Sequence, residues 1–270
     1  MNIRNKVAVV TGATGGIGFA TASKLMEKEI GGLAVVDLSE RCEETVKQLN
    51  KLAGKEKALP FCGDVTDPEF RRLVFNTMHG KFGAVQICVP AAGIVSDSLA
   101  VKVKQGGEIE IYAESVFKKI LDVNLVHPTY WAMETIAGIA KQRHAEGRKK
   151  WGADEDIQGA IILIGSVSSQ GNRGQVGYAA AKSALIAVSS TLNLEGLFHG
   201  VQTKIVHPGF VDTKMVDAIN DEYFEKNLKP LIGLGRKIQP QEIADIICAM
   251  IENPAISGEV WADASMTPLA

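Results

Sequence analysis

Seven short runs of β-branched and other apolar residues, spaced by stretches long enough for a helix, constrain the fold of this chain more than any other feature. Val7 to Val10, Leu33 to Val36, Ala58 to Cys62, Val85 to Val89, Ala160 to Ile164, Thr203 to Val206 and Glu259 to Trp261 read as strands. Most are apolar on both faces, as doubly covered strands must be, and parallel neighbours need crossovers of helical length. The expectation is an α/β fold: one doubly wound, Rossmann-like domain over residues 1–270, with a seven-stranded, mostly parallel sheet and helices on both faces. Gly12, Gly63, Gly93, Gly165 and Gly209 follow strand ends, where such folds place a ligand crevice. No Pro- or Ser-rich linker and no internal repeat divides the sequence. Two segments read as additions: a polar connection from Ser96 to Gly107, and Lys141 to Gln158, whose basic and acidic runs read as a solvated face.

Composition narrows the function. With 46% hydrophobic and 22% charged residues among 270, the chain can bury a large core and is no disordered scaffold. A formal charge of −2 and a pI near 6.2 leave no footprint for nucleic acid or anionic membrane. No run reaches the ~18 apolar residues of a membrane span, and Met1 to Val10 holds no signal-peptide core, so a cytoplasmic protein is expected. Cys42, Cys62, Cys88 and Cys248 show no paired spacing, so reduced, mostly buried thiols and no metal site are expected. Small-molecule chemistry is favoured.

The first strand runs directly into Thr11-Gly12-Ala13-Thr14-Gly15-Gly16-Ile17-Gly18 and then into a helix-forming stretch. A glycine-rich turn there lets backbone approach a pyrophosphate, and the helix N-terminus supplies amide donors. Asp37 lies 19 residues beyond Gly18, near the ~20 expected of a carboxylate that grips an adenosine ribose. A 2′-phosphate beside it would meet a like charge, so NAD is expected over NADP. Tyr178 and Lys182 stand four apart, on one side of a helix, at the margin of a buried stripe of Ala181, Leu185, Val188 and Leu192. An ammonium near a phenol lowers its pKa, which makes Tyr178 a candidate general base.

Taken together, these residues resemble the short-chain dehydrogenase/reductase superfamily nearly end to end. Its other marks follow in order: Gly63-Asp64-Val65, Asp122-Val123-Asn124-Leu125, Ile164-Gly165-Ser166 and His207-Pro208-Gly209-Phe210-Val211-Asp212-Thr213. The resemblance implies that Ser166 bonds the substrate oxygen and Tyr178 moves its proton. Lys182 would hold the nicotinamide ribose and depress the Tyr178 pKa, and Asn124 would anchor a water leading from Lys182 to solvent. Gly12, Thr14, Gly16, Ile17 and Gly18 would hold the pyrophosphate and Asp64 and Val65 the adenine. Ala92 and Gly93 would pass the nicotinamide ribose, with Pro208, Gly209, Val211 and Thr213 at the carboxamide end. A homotetramer or dimer is also implied, the long helix carrying Val116, Ile120, Val123 and Tyr130 at helical spacing.

Two departures stand out. The family's Asn-Asn-Ala-Gly is replaced by Pro90-Ala91-Ala92-Gly93, so the usual polar tie between neighbouring strands must be replaced or lost. Near the C-terminus, Val-Asp-Gly-Gly gives way to Ala262-Asp263-Ala264-Ser265. The expected function is an NAD-dependent oxidoreductase interconverting a secondary alcohol and its ketone; the rival is a catalytically silent, cofactor-binding subunit of a hetero-oligomer. A sugar-nucleotide epimerase is disfavoured, because the 61 residues after Gly209 leave no room for a substantial substrate domain. Residues 212–237, with Met215, Val216, Ile219, Tyr223, Phe224 and Leu228, read as a substrate cover of apolar character or, equally, as a helix packing its own apolar face. The stretch from Gly165 to Leu185 is similar to 3-oxoacyl-thioester reductases, which generally use NADPH; with Asp37, a 3-hydroxyacyl-CoA becomes a candidate beside alicyclic, aromatic and steroid alcohols.

Overall fold

Seven parallel strands follow each other through helical crossovers: β1 (Val7–Thr11), β2 (Gly32–Asp37), β3 (Ala58–Cys62), β4 (Ile87–Pro90), then β7 (Gly159–Ile164), β8 (Val201–Pro208) and β9 (Glu259–Ala262). The computed structural model describes residues 1–152, 154–217 and 219–266. The sheet order is β3-β2-β1-β4-β7-β8-β9, and every neighbouring pair is parallel. The chain runs outward from β1 to β3 and then returns to place β4 on the other side of β1. A crevice opens at the carboxyl ends of β1 and β4, where the winding reverses.

Side chains alternate along each strand, so one strand feeds two cores. Ala8, Val10, Leu33 and Val35 pack with Leu25 of α1 (Gly16–Glu27) and with Ile247 and Ile251 of α7 (Pro240–Glu252). Val7, Val9, Ala34 and Val36 face the other way, with Met78 of α3 (Pro68–Phe82), Trp131 of α5 (His127–Ala145) and Leu185 of α6 (Val176–Gly196). Helix α2 (Cys42–Ala53) completes the crossover from β2 to β3. All seven expected strands are present, with ends shifted by a few residues: β2 extends to include Asp37 and β8 begins at Val201.

Several expectations need correction. The segment from Ser96 to Gly107 is not a plain polar connection. Within and just beyond it, β5 (Val101–Val103) and β6 (Ile109–Ile111) pair antiparallel across Gly106 and Gly107, both at positive φ. The charged run is not wholly a solvated face either. Arg143, only 2% exposed, donates to both carboxylate oxygens of Glu155 at 2.7 and 3.0 Å, and Arg148 approaches the same group at 3.5 Å. On α6, Ala181, Leu185 and Leu192 are buried as expected, but Val188 is half-buried and Lys182 is buried outright. Of the cysteines, Cys62 is exposed and the other three are buried. No helix among the described residues is long and apolar enough to cross a membrane.

The C-terminal turn keeps the backbone shape of glycines without having them. Ala264 and Ser265 sit at φ 58° and 57°, and the Asp263 carboxylate accepts the Ser265 N–H at 3.0 Å. Left-handed backbone costs a side-chain-bearing residue roughly 1–2 kcal/mol.

Candidate active site

A cavity of about 650 Å³ lies at the carboxyl ends of β1, β2, β4, β7 and β8. Its floor is the turn between β1 and α1. Gly12, at φ 65°, faces the segment after β4 so closely that an added Cβ would lie 2.9 Å from the Ala92 backbone. At Gly18 a Cβ would run into the Gly12 carbonyl. Backbone thus packs on backbone, and the uncapped N-terminus of α1 presents its free N–H groups to the cavity. Gly16, Ile17, Thr14 and Thr213 share this wall.

At one end, Asp37 closes β2. Its Oδ2 accepts the Thr14 N–H at 3.0 Å and the Thr14 hydroxyl at 2.8 Å, and Oδ1 accepts the Ser39 N–H at 3.0 Å. The carboxylate is therefore aimed by the same turn that forms the floor. Leu38, Arg41, Asp64, Val65 and Lys119 complete this end. The Asp64 carboxyl is held low by the N–H and hydroxyl of Thr66.

At the other end, Ser166, Tyr178 and Lys182 converge with Ala92, Gly93, Pro208, Gly209 and Val211. Ser166 follows β7, its Oγ accepting the Ser168 N–H at 3.1 Å, which leaves the hydroxyl proton free to donate. Lys182 Nζ donates to the Ile164 carbonyl at 2.7 Å and lies 5.5 Å from the centre of the Tyr178 ring. Burial brings the ammonium down to about 8. The Tyr178 phenol is pushed up to about 12, first by burial, while Ser166 pulls it down and Asp97 adds a smaller upward push. This corrects the expectation that Lys182 depresses the phenol: in the protein alone, desolvation wins, and the ammonium is spent on a backbone carbonyl.

Asn124 stands behind the cavity wall, fully buried. Helix α4 (Glu114–Leu121) passes into α5 through a π-helical turn, Asp122–Val126. Asn124 Nδ2 donates to the carbonyls of Ile94 at 2.9 Å and Ile120 at 3.0 Å, and Oδ1 accepts the Ile94 N–H at 3.2 Å. Asn124 thus ties the segment after β4 to the long helix. A Cβ on Gly93 would come within 2.8 Å of its Oδ1.

The missing tie at Pro90-Ala91 has a replacement that the sequence did not signal. Ala92 N–H donates to Thr11 Oγ1 at 3.1 Å, and Thr11 Oγ1 lies 3.2 Å from His127 Nε2. His127 Nδ1 lies 2.8 Å from the Val123 carbonyl. A neutral ring protonated on Nδ1 satisfies every group: Nδ1–H donates to Val123, and Nε2 accepts the Thr11 hydroxyl. Burial brings this imidazole down to about 4, keeping it neutral. Ile94 and Lys214 also line the cavity and were not singled out in sequence, and Val123, named there only as part of the long helix, lines it as well. Of the apolar residues after Thr213, Met215 and Val216 reach it, whereas Phe224 is buried edge-on against Phe210, ring centres 5.8 Å apart.

The chain is similar to known proteins over nearly its whole length. The short chain dehydrogenase family profile matches residues 6–223. The chain is 33% identical over 262 residues to the 3-oxoacyl-[acyl-carrier-protein] reductase FabG of Vibrio cholerae, covering 96% of each chain. It is 31% identical over 264 residues to the protein of the same name from Escherichia coli, again covering 96% of each. A short-chain type dehydrogenase/reductase from Mycobacterium marinum shares the fold, with a TM-score of 0.81 at 24% identity over 98% of this chain and 97% of that one. The profile and the near full-length relatives together place this protein in the short-chain dehydrogenase family.

Proposed function

We propose that this chain is an NAD-linked oxidoreductase that interconverts a ketone and a secondary alcohol, with 3-oxoacyl and 3-hydroxyacyl thioesters, the CoA thioester among them, as its substrate class. One observation carries the reading: Ser166, Tyr178 and Lys182 meet at one end of a cavity whose floor is bare glycine backbone and whose far end is Asp37. The residues fit a nicotinamide dinucleotide. Helix α1 and its glycines would hold the pyrophosphate, Asp37 the adenosine ribose, Asp64 and Val65 the adenine, and Thr213 with Pro208, Gly209 and Val211 the carboxamide. Such a cofactor, when bound, supplies or accepts the hydride.

The chain's own groups handle the proton. The free Ser166 hydroxyl donates to the substrate oxygen, and Tyr178 gives or takes the proton there. A phenol pushed up to about 12 is protonated at neutral pH, ready to donate during ketone reduction. Alcohol oxidation needs the phenolate, so its rate should climb with pH above neutrality, where reduction stays flat. Names of the relatives support the thioester class, and Met215 and Val216 offer an apolar rim for its acyl chain. Residues 212–237 would form that rim as one segment of a single domain, position 218 lying outside the described residues.

We also propose a homo-oligomer. Val126, Tyr130 and Met133 lie 42%, 49% and 43% exposed along one side of the long helix, and light scattering at 28.9 kDa at micromolar concentration would refute it. The functional test is an assay of the purified chain with NADH and a short 3-oxoacyl thioester, beside a panel of ketones. Turnover of the thioester is expected. NADH binding without turnover of any substrate would instead favour the silent, cofactor-binding subunit.

A further inference from the structure

His207, the last residue but one of β8, lies directly behind Ser166 and is fully buried. One face of its ring lies against Gly165, where an added Cβ would fall within van der Waals overlap of Nδ1. The other face stacks on Trp261 of β9, ring centres 4.2 Å apart and planes 13° off parallel. The ring edge is as closely placed as its faces. Nδ1 lies 3.3 Å from the Ser166 N–H nitrogen, 3.2 Å from the Ser166 carbonyl oxygen and 3.4 Å from Ser169 Oγ.

The Ser166 carbonyl already accepts the Ser169 N–H at 3.0 Å, whereas His207 is the acceptor for the Ser166 N–H. The arrangement that satisfies both is a neutral ring protonated on Nε2, with Nδ1 as acceptor. Nε2 then faces Glu259 Oε2 at 3.1 Å. The contact is too bent for a straight hydrogen bond, so the carboxylate acts on the ring mainly through its charge.

We propose that His207 is a positioning residue for Ser166: its ring, wedged between Gly165 and Trp261 and steered by Glu259, accepts the Ser166 N–H and thereby fixes the direction of the Ser166 hydroxyl into the cavity. The assignment rests on the catalytic reading of Ser166 above. It also gives the last strand a role in the site, since both ring partners, Trp261 and Glu259, belong to β9. Two charged groups act on the ring, Glu259 from β9 and Lys182 from α6; the first raises and the second lowers its proton affinity, beneath a larger lowering by burial. Protonation of Nδ1 would turn an acceptor into a donor and exchange the Ser166 N–H for the Ser166 carbonyl, so the acid form should position the serine poorly.

The test compares four variants in the reductase assay. His207→Phe keeps the aromatic wedge and removes the acceptor; kcat should fall about tenfold, the effect of one lost hydrogen bond, with Tm a few degrees lower because the Ser166 N–H is left unpaired, while the NADH Kd changes little. His207→Asn returns an amide oxygen near the Nδ1 position and should recover a good part of kcat. Glu259→Gln should move the acid limb of kcat/KM to lower pH, by roughly half a unit. Ser166→Ala separates the two ideas. If it keeps wild-type kcat, the catalytic reading of Ser166 falls, and this assignment with it. If it is inactive while His207→Phe retains more than about half of wild-type kcat, the assignment alone is overturned. Should His207→Phe fail to fold, an unchanged acid limb in Glu259→Gln overturns it.

Discussion

Replacing Asp37 with Asn separates charge from shape at the cofactor-choosing end of the cavity. The amide keeps an oxygen for the Thr14 N–H and hydroxyl, which Oδ2 now accepts at 3.0 and 2.8 Å, so the glycine-rich turn should hold its course, and only the bond that Oδ1 accepts from the Ser39 N–H is lost with the second oxygen. What disappears is a negative charge that a 2′-phosphate would meet at about 4 Å, worth about 1 kcal/mol at the dielectric of water and about 4 kcal/mol at an effective value of 20. At 1.4 kcal/mol per decade, that predicts a preference for NADH over NADPH of roughly sixfold to a thousandfold in kcat/KM. Arg41 lines the same end, with its Nε donating to Ser39 Oγ at 3.3 Å, and its charge draws the expectation toward the lower part of that range. The assay is kcat/KM for both cofactors with one substrate, at two ionic strengths, because a Coulomb penalty at this exposed edge shrinks with salt. Asp37→Asn should close most of the gap, and Arg41→Ala should widen it. Preference for NADPH in the wild type, or a ratio that Asp37→Asn leaves unchanged, would refute the reasoning.

Other outcomes follow from the same geometry. Tyr178→Phe should lower kcat by at least ~10²-fold while NADH still quenches or shifts fluorescence with unchanged Kd, because the ring volume stays and only the proton carrier goes. Lys182→Ala should weaken both NADH binding and turnover, since it also frees the Ile164 carbonyl that Nζ now satisfies. Ala264→Gly and Ser265→Gly should each raise stability by about 0.5–1 kcal/mol, the relief of left-handed strain less the added freedom of the unfolded chain, read as an increase in the urea midpoint. His127 gives a pH signature: its folded pKa of about 4 lies below the ordinary 6.5, so between those values the unfolded chain binds the proton and the native one does not. Stability is therefore lost as pH falls through that window, by up to about 3 kcal/mol; His127→Gln should flatten this part of the curve, and an equal slope in both proteins would remove His127 from the account.

The sheet was legible because its strands are buried on both faces, so β-branched runs such as Val7 to Val10 and Ala160 to Ile164 stand out against helical spacers. The hairpin was missed, its segment being read as a polar connection, although Val101 and Val103 alternate with Lys102, Ile109 and Ile111 with Glu110, and Gly106-Gly107 turns between them. Its four β-branched side chains remain exposed, so no burial pattern advertised them. Glycine spacing and the Tyr178–Lys182 interval located the cavity because they act over one turn of chain. What local pattern could not carry was proton affinity, since burial by the whole fold decides it. Lys182 meets a carbonyl 18 residues away, and the phenol beside it rises where the four-residue spacing alone predicts a fall.

The two histidines make the same point from the opposite side. Losing side-chain amides at Pro90-Ala91 is a local fact, readable in four letters. Its compensation by His127 spans 116 residues to Thr11, and the contact of His207 with Ser166 spans 41. Each ring is buried and meets partners far away in the chain, so in sequence each looks like an ordinary interior histidine. Both nevertheless hold the walls of one cavity: His127 fixes the segment from Ala92 to Gly93 through Thr11, and His207 the turn at Ser166. A departure from family pattern at one strand end is therefore no sign of a lost site here, because the polar bond it removed is remade by a side chain from the long helix.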